Sequence, residues 1–266
     1  MGTGDAPVNF AWAALLITAV LFAAMLLTFE VGRRIGGAEL AKDPDGLAKG
    51  VGAAEGAVFA LLGLLMAFTF AGAASRFEGR RLMIDTEANA IGTAWLRIDV
   101  LPVETQPPIR EMFERYTNLR ATIYRDADQI SEVRARLATA ATLQNEIWKS
   151  ALAACQLPHA APQATIVMLP ALNQMIDIAS TRQMASGNHP PMVIFLLLGL
   201  LSIIGALLVG YSSSSNKRRT WIHQVIFALV MSAAIYVIID IEFPRLGLIR
   251  VEDADQLLID LAKSMR

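Results

Sequence analysis

The stretch F68-TFAGAASRFEGRRLMIDTEANAIGTAWL-R97 decides how the chain is read. It begins as the end of an apolar run and becomes charged, yet no proline and no Asn-Gly turn interrupts it. Positions 63, 67, 70, 74, 77, 81, 84, 88, 91, 95 and 98 are Gly, Ala, Phe, Ala, Phe, Arg, Ile, Ala, Ile, Trp and Ile. This three-four spacing is that of a helix packing side by side with others, and it crosses the apolar-to-charged boundary without losing phase. The spacing predicts one helix from the membrane into an aqueous domain, ending near Leu101-Pro102. At 1.5 Å per residue, about 50 residues reach roughly 75 Å, far beyond a bilayer core.

The composition agrees with a membrane protein. Of 266 residues, 55% are hydrophobic and 18% charged, and the mean hydropathy is +0.46. A soluble enzyme of this length carries more charge. The formal net charge of −1 gives no basic footprint for nucleic acid, which is excluded as a partner. The single cysteine, Cys155, has no internal partner, and His159, His189 and His223 lack metal-ligand spacing. Neither a metal nor another cofactor is expected.

Four runs are long and apolar enough to cross a hydrocarbon core: about Phe10 to Val31, Gly52 to Ala74, Pro191 to Tyr211 and Trp221 to Ile239. The first has no basic residue before it and an apolar core too long for a signal peptide, so it is read as a retained span. Four spans put both termini and the segment after span 2 on one side. The expected fold is an all-α membrane protein with four transmembrane helices and a helical extramembrane domain between spans 2 and 3. Its parts are a first hairpin (1–74), the domain (75–190), a second hairpin (191–240) and a C-terminal amphipathic segment (241–266).

Within the domain, Pro107-Pro108 suits a helix start, and Ile109, Met112, Tyr116, Leu119 and Ile123 follow at helical steps. A second helix is expected over about Asp128 to Ala154. A third is expected over about Ala161 to Ala185, broken or kinked at Pro170. Asn188-His189-Pro190-Pro191 is the hinge back to the membrane. Phe243-Pro244 ends the fourth span, and Ala254 to Met265 offers a short amphipathic helix. Basic residues near span ends number seven in the short loops (Arg33, Arg34, Lys42, Lys49, Lys217, Arg218, Arg219) and six on the domain side (Arg76, Arg80, Arg81, Arg182, Arg245, Arg250). That balance does not discriminate orientation, although the tail before Arg33, which has no Lys or Arg, leans toward an external domain.

Span 2 carries a stripe of small residues, Gly56, Ala60, Gly63, Ala67, Ala71 and Ser75. Such stripes let transmembrane backbones approach closely, either inside one subunit or between subunits. Phe59, Met66, Phe70 and Phe77 lie to its other side, against lipid or lining a path.

Polar candidates are few. Asn173, Asp177 and Thr181 share a helix face and, with Arg182, could form a polar site or a contact between helices. Asp240, Glu242 and Arg245 straddle the exit of span 4, where ionisable groups pair or face water. Asp85, Glu87 and Asn89 do not share a face, and Arg81 is spaced to pair with Asp85. Cys155 has no neighbouring histidine to activate it. No phosphate loop, nucleophile elbow or metal motif is present, so an enzyme is not expected.

Three segments, "RFEGRRLMIDTEANAIGTAWLR" (76–97), "LPALNQMIDIASTRQMASGNHPP" (169–191) and "IIDIEFPRLGLIRVEDAD" (238–255), resemble the signature segments of the bestrophin-like domain family of bacterial membrane proteins. That resemblance spans most of the chain from Glu55 to Asp255 and implies a multi-pass protein of the bacterial inner membrane. The kinship to bestrophins implies a homo-oligomer, a pentamer, that conducts small ions, with a cytosolic helical domain. The cytosolic placement opposes the lean of the charges, so orientation stays open. By analogy, span 2 would line the pore through Phe70, Ala74, Phe77 and Arg81. Bestrophins also hold calcium on a dense acidic run after span 4; here only Glu252, Asp253 and Asp255 stand there, a departure that does not carry calcium gating over. Two classes remain: an oligomeric, anion-conducting channel, or a non-conducting scaffold or sensor whose domain binds a protein.

Overall fold

The computed structural model describes residues 10–42, 51–123, 130–215, 221–244, 249 and 252–266. Among them there is no strand. The helices are α1 (Phe10–Leu40), α2 (Val51–Leu96), α3 (Gln106–Thr122), α4 (Ile130–Cys155), α5 (Ala164–Ser186), α6 (Met192–Ser212), α7 (Trp221–Glu242) and α8 (Glu252–Ser264). Four of these, α1, α2, α6 and α7, are long and apolar enough to cross a membrane. The described residues fall into two compact units, one within Met1–Phe77 and His189–Ile249, the other within Glu78–Asn188 and Arg250–Arg266.

Helix α2 is unbroken over 46 residues. A short 3-10 turn over Arg97–Val100 follows it, and Leu101 is extended, as a residue before proline must be. Gly79 lies inside the helix, and a Cβ there would meet nothing within 4 Å. Gly79→Ala is therefore expected to be neutral or to stabilise by up to about 1 kcal/mol. Gly79→Pro removes a backbone bond and clashes with the preceding turn, at a cost of about 3 kcal/mol. Thermal midpoints in detergent compare the two, and a proline variant as stable as the alanine variant would contradict a continuous α2.

The heptad seam read from α2 is only partly the buried face. Gly63, Ala67, Phe70 and Arg81 are exposed, Ala74, Phe77 and Trp95 half-buried, and Ile84, Ala88, Ile91 and Ile98 buried. A strict seven-residue repeat drifts by about 20° per heptad on a straight helix, hence about 100° from Gly63 to Ile98. The buried side instead follows Leu62, Ala73 and Ile84, at eleven-residue steps that drift by about 20° each in the opposite sense, hence less per residue than the heptad.

The first unit is built on α1. Its buried residues Ala14, Thr18, Leu21, Met25, Phe29, Gly32 and Gly36 recur every three or four positions, and they pack on α6 and α7. The core joins Met25 and Phe29 to Leu62, Leu198, Ala206, Ala228 and Ile235. Phe227 meets Phe29 and Phe59 edge-on at 5.7 and 5.6 Å. Glycines bring α1 and α6 into backbone contact. A Cβ at Gly32 would lie 2.1 Å from the Leu207 carbonyl oxygen, and one at Gly210 would lie 2.2 Å from that of Phe29. Lipid gives no hydrophobic drive for helix association, so this close packing supplies it. Buried hydroxyls of Thr18 and Ser202 donate to carbonyls one turn back, at 3.0 and 2.7 Å.

The second unit packs α3 against α4 and α8, and α4 against α5. Ile109, Phe113, Tyr116 and Ile123 face its core together with Ile147, Met168, Leu172 and Leu258. Met112 and Leu119, expected on that face, are half-buried, and Phe113 takes the central place. Pro170 does not break α5, which runs through it. The proline sits in the second turn, and Arg97 Nη1 donates to the nearby Val167 carbonyl at 2.8 Å. Arg80 closes the other end of α5, donating to the Ala185 and Asn188 carbonyls at 3.2 and 2.9 Å.

Candidate functional site

Helix α2 touches the core of the first unit by one edge, through Leu62 with Phe59, Leu65 and Met66 beside it. Phe59 and Met66, expected against lipid or lining a path, are partly buried and pack against this core. The small residues Gly56, Ala60, Gly63, Ala67, Ala71 and Ser75 are all exposed. At Gly56 and Gly63 an added Cβ would meet no atom within 4 Å among the described residues. The glycines that bring two helix backbones together are instead Gly32, Gly36 and Gly210, for which the sequence raised no expectation.

Phe70, Ala74, Phe77 and Arg81 follow one another along α2, within a sector of about 60° at 3.6 residues per turn. Phe70 is 45% exposed, and Ala74 and Phe77 are half-buried. Arg81 does not pair with Asp85. Its Nη1 lies 3.8 Å from Glu78, both side chains more than half exposed, a loose contact that contributes little.

The polar residues form three groups rather than one. Asn173, Asp177 and Thr181 do share a face; with Thr86, Pro170, Gln174 and Ile178 they line an open groove in the second unit, and all three are exposed. Arg182, one residue and about 100° further round α5, turns inward. Its Nη1 donates to Glu87 Oε2 at 2.6 Å and its Nη2 to Asp255 Oδ1 at 2.9 Å. Arg120 Nε donates to Glu87 Oε1 at 2.5 Å. This buried set of two guanidinium and two carboxylate groups ties α2, α3, α5 and α8 together. Beside it, Tyr116 Oη accepts from Gln144 at 2.9 Å, and burial pushes the phenol up to about 12, so it stays protonated. Asp255, one of the three acidic residues after span 4, is thus engaged by Arg182; the side chains of Glu252 and Asp253 lie outside the described residues.

The third group is in the first unit. Glu242, fully buried, receives Arg76 through Nε at 3.1 and 2.9 Å and through Nη2 at 2.6 Å. His189 Nδ1 is 3.0 Å from the same carboxylate, and its ring stacks on Phe243 at 4.4 Å. Arg76 and His189 were missed as partners of Glu242. The hinge position of His189 and the 166-residue separation of Arg76 gave no local signal. Asp240, also buried, accepts from the Ile249 backbone N–H at 2.8 Å. Arg245 lies outside the described residues.

No curated protein matches the sequence. Solved structures do: a bacterial bestrophin homologue from Klebsiella pneumoniae carrying one substitution is similar with a TM-score of 0.66 and 12% identity, over 90% of this chain and 98% of that one. Another structure of that homologue, phased on zinc, has a TM-score of 0.62 at 12% identity, over 90% and 97%. A third, with a different substitution, has a TM-score of 0.64 at 12% identity, over 98% and 100%. At that identity the likeness speaks to the fold alone. The sequence itself matches the family described as the Bestrophin-like domain over residues 19–256, and the chain belongs to that family.

Proposed function

We propose that the chain is one subunit of a homo-oligomeric ion channel of the bacterial inner membrane, with α2 lining the path. The observation that carries this reading is the outer side of α2. Its small residues from Gly56 to Ala71 are exposed in a subunit whose other three spanning helices pack on one another. A stripe of small residues suits close approach of a second backbone, which a symmetry-related subunit would supply. Phe70 and Phe77, seven residues apart, would then form successive apolar rings, a constriction that closes by dewetting. The exposed Arg81, held only loosely by Glu78, would set a ring of positive charge at one mouth. Such a ring concentrates anions and repels cations. The pentamer of bestrophins is the assembly this reading adopts, and no catalytic role is assigned.

Purified protein in liposomes tests the proposal. Phe70→Ala combined with Phe77→Ala is expected to raise chloride flux severalfold, and Arg81→Glu to move selectivity toward cations. A monomer in the membrane, or flux no greater than from empty vesicles for all variants, would leave the scaffold reading in its place.

A further inference from the structure

In the first unit, α2 and the start of α6 enclose a groove of about 250 Å³ lined by Leu65, Phe68, Thr69, Gly72, Arg76, Ile194 and Leu197 with Pro190 and Leu198. Its walls are apolar apart from two groups. The Thr69 hydroxyl is already engaged, donating to the Leu65 carbonyl at 2.7 Å. The other group is the Arg76 guanidinium. Glu242 holds it through Nε and Nη2, which leaves both hydrogens of Nη1 without a protein acceptor among the described residues. Gly72 makes room for this end: a Cβ there would lie 3.2 Å from Arg76 Nη1. The side chain is 29% exposed, and the groove is open, with Phe68 67% and Leu197 42% exposed.

Position and chemistry select the occupant. Arg76 is the first charged residue after the apolar run of α2 that ends at Ala74, and a span of about 20 residues puts such a residue at the level of lipid phosphates. A guanidinium pinned on one side presents its remaining N–H donors in a fixed fork, the geometry that suits phosphate oxygens. The apolar walls beside it lie on the exterior of a membrane-spanning unit, where an acyl chain is the available neighbour. We infer that this groove binds one membrane phospholipid, its phosphodiester on Arg76 and one acyl chain along Leu65, Phe68, Ile194 and Leu197. This does not depend on conduction.

The test uses the full chain, delipidated in detergent, with bound lipid counted by native mass spectrometry. Dioleoylphosphatidylglycerol is expected to bind once per chain, and dioleoylglycerol, which lacks the phosphate, at least tenfold more weakly. Leu197→Trp fills the groove without touching the ion pair and is expected to weaken phosphatidylglycerol binding at least tenfold, with oligomeric state and lipid-free thermal midpoint unchanged. Arg76→Gln should weaken binding similarly, and Arg76→Lys should restore part of it; if Arg76→Gln fails to fold, Leu197→Trp alone decides. Four results would overturn the inference: equal binding of dioleoylglycerol, full displacement of the lipid by millimolar inorganic phosphate, wild-type lipid affinity in Leu197→Trp, or dissociation of the oligomer by that substitution, which would make the groove a contact between copies.

Discussion

Gly210→Leu is expected to unfold the first unit, with a loss of more than about 4 kcal/mol, beyond the usual cost of overpacking because the obstructing atoms are backbone. A Cβ at that position would stand 2.2 Å from the Phe29 carbonyl oxygen and 2.9 Å from its carbon. A flexible side chain could swing aside; a carbonyl in the middle of α1 moves only if α1 moves or loses its hydrogen bond. The approach is reciprocal, since Gly32 of α1 faces the Leu207 carbonyl of α6 at 2.1 Å from its would-be Cβ, and Gly36 faces that of Tyr211 at 2.5 Å. Gly199→Ala on the same helix is the control. A Cβ there meets nothing within 4 Å, and alanine is the better helix former. Resistance to SDS-induced unfolding should collapse for Gly210→Leu and hold for Gly199→Ala. Equal resistance would mean that α1 and α6 do not touch at these glycines.

Glu87→Ala should cost about 3–5 kcal/mol, because it removes the carboxylate whose two oxygens accept from the buried guanidinium groups of Arg120 and Arg182. Glu87→Gln keeps the shape and one acceptor oxygen but loses the charge, and should fall between wild type and alanine. Combining Glu87→Leu with Arg120→Met replaces an ion pair by apolar side chains of similar volume, an exchange that buried pairs often tolerate. The double variant is therefore expected to be more stable than Glu87→Ala alone. Additive losses in the two single substitutions, measured by a double-mutant cycle on thermal midpoints, would show that these groups do not interact.

How much of this was legible in the sequence depends on the range of the interaction. The four spans and the long α2 follow from apolar length and unbroken helical spacing, which are local. The start of α3 at Gln106 and the interruption between α5 and α6 before Met192 follow from proline. The packing face of α2 was displaced because a 3.5-residue seam and a 3.6-residue helix part company over five heptads. Small residues were recognised as a contact signal on α2, where they are exposed, and overlooked on α1 and α6, where Gly32, Gly36 and Gly210 make the contact. Glycine spacing reports what can approach, not what does. Asn173, Asp177 and Thr181 line one groove, as their i, i+4, i+8 spacing allows, while the partners of Arg182 lie 95 and 73 residues away and have no signature in spacing. Pro170, expected to break or kink its helix, does not break it; Met168, Leu172 and Met175 around it are buried, and their packing offsets one lost backbone bond.

The unbroken course of α2 also bears on how its gene can vary. Leu62, Ala73 and Ile84 are buried at intervals of eleven residues, three turns of a helix that advances about 100° per residue. A single codon added between Phe77 and Glu78 would turn Ile84, Glu87 and Ile91 through that angle relative to Leu62 and Ala73. Substitution leaves the phase intact, whereas an insertion or deletion shifts it by about 100° per residue, and blocks of seven or eleven return it to within about 20°. Between Ala73 and Ile84 the coding sequence can therefore drift in letters while keeping the phase of the helix, and most changes in length alter it.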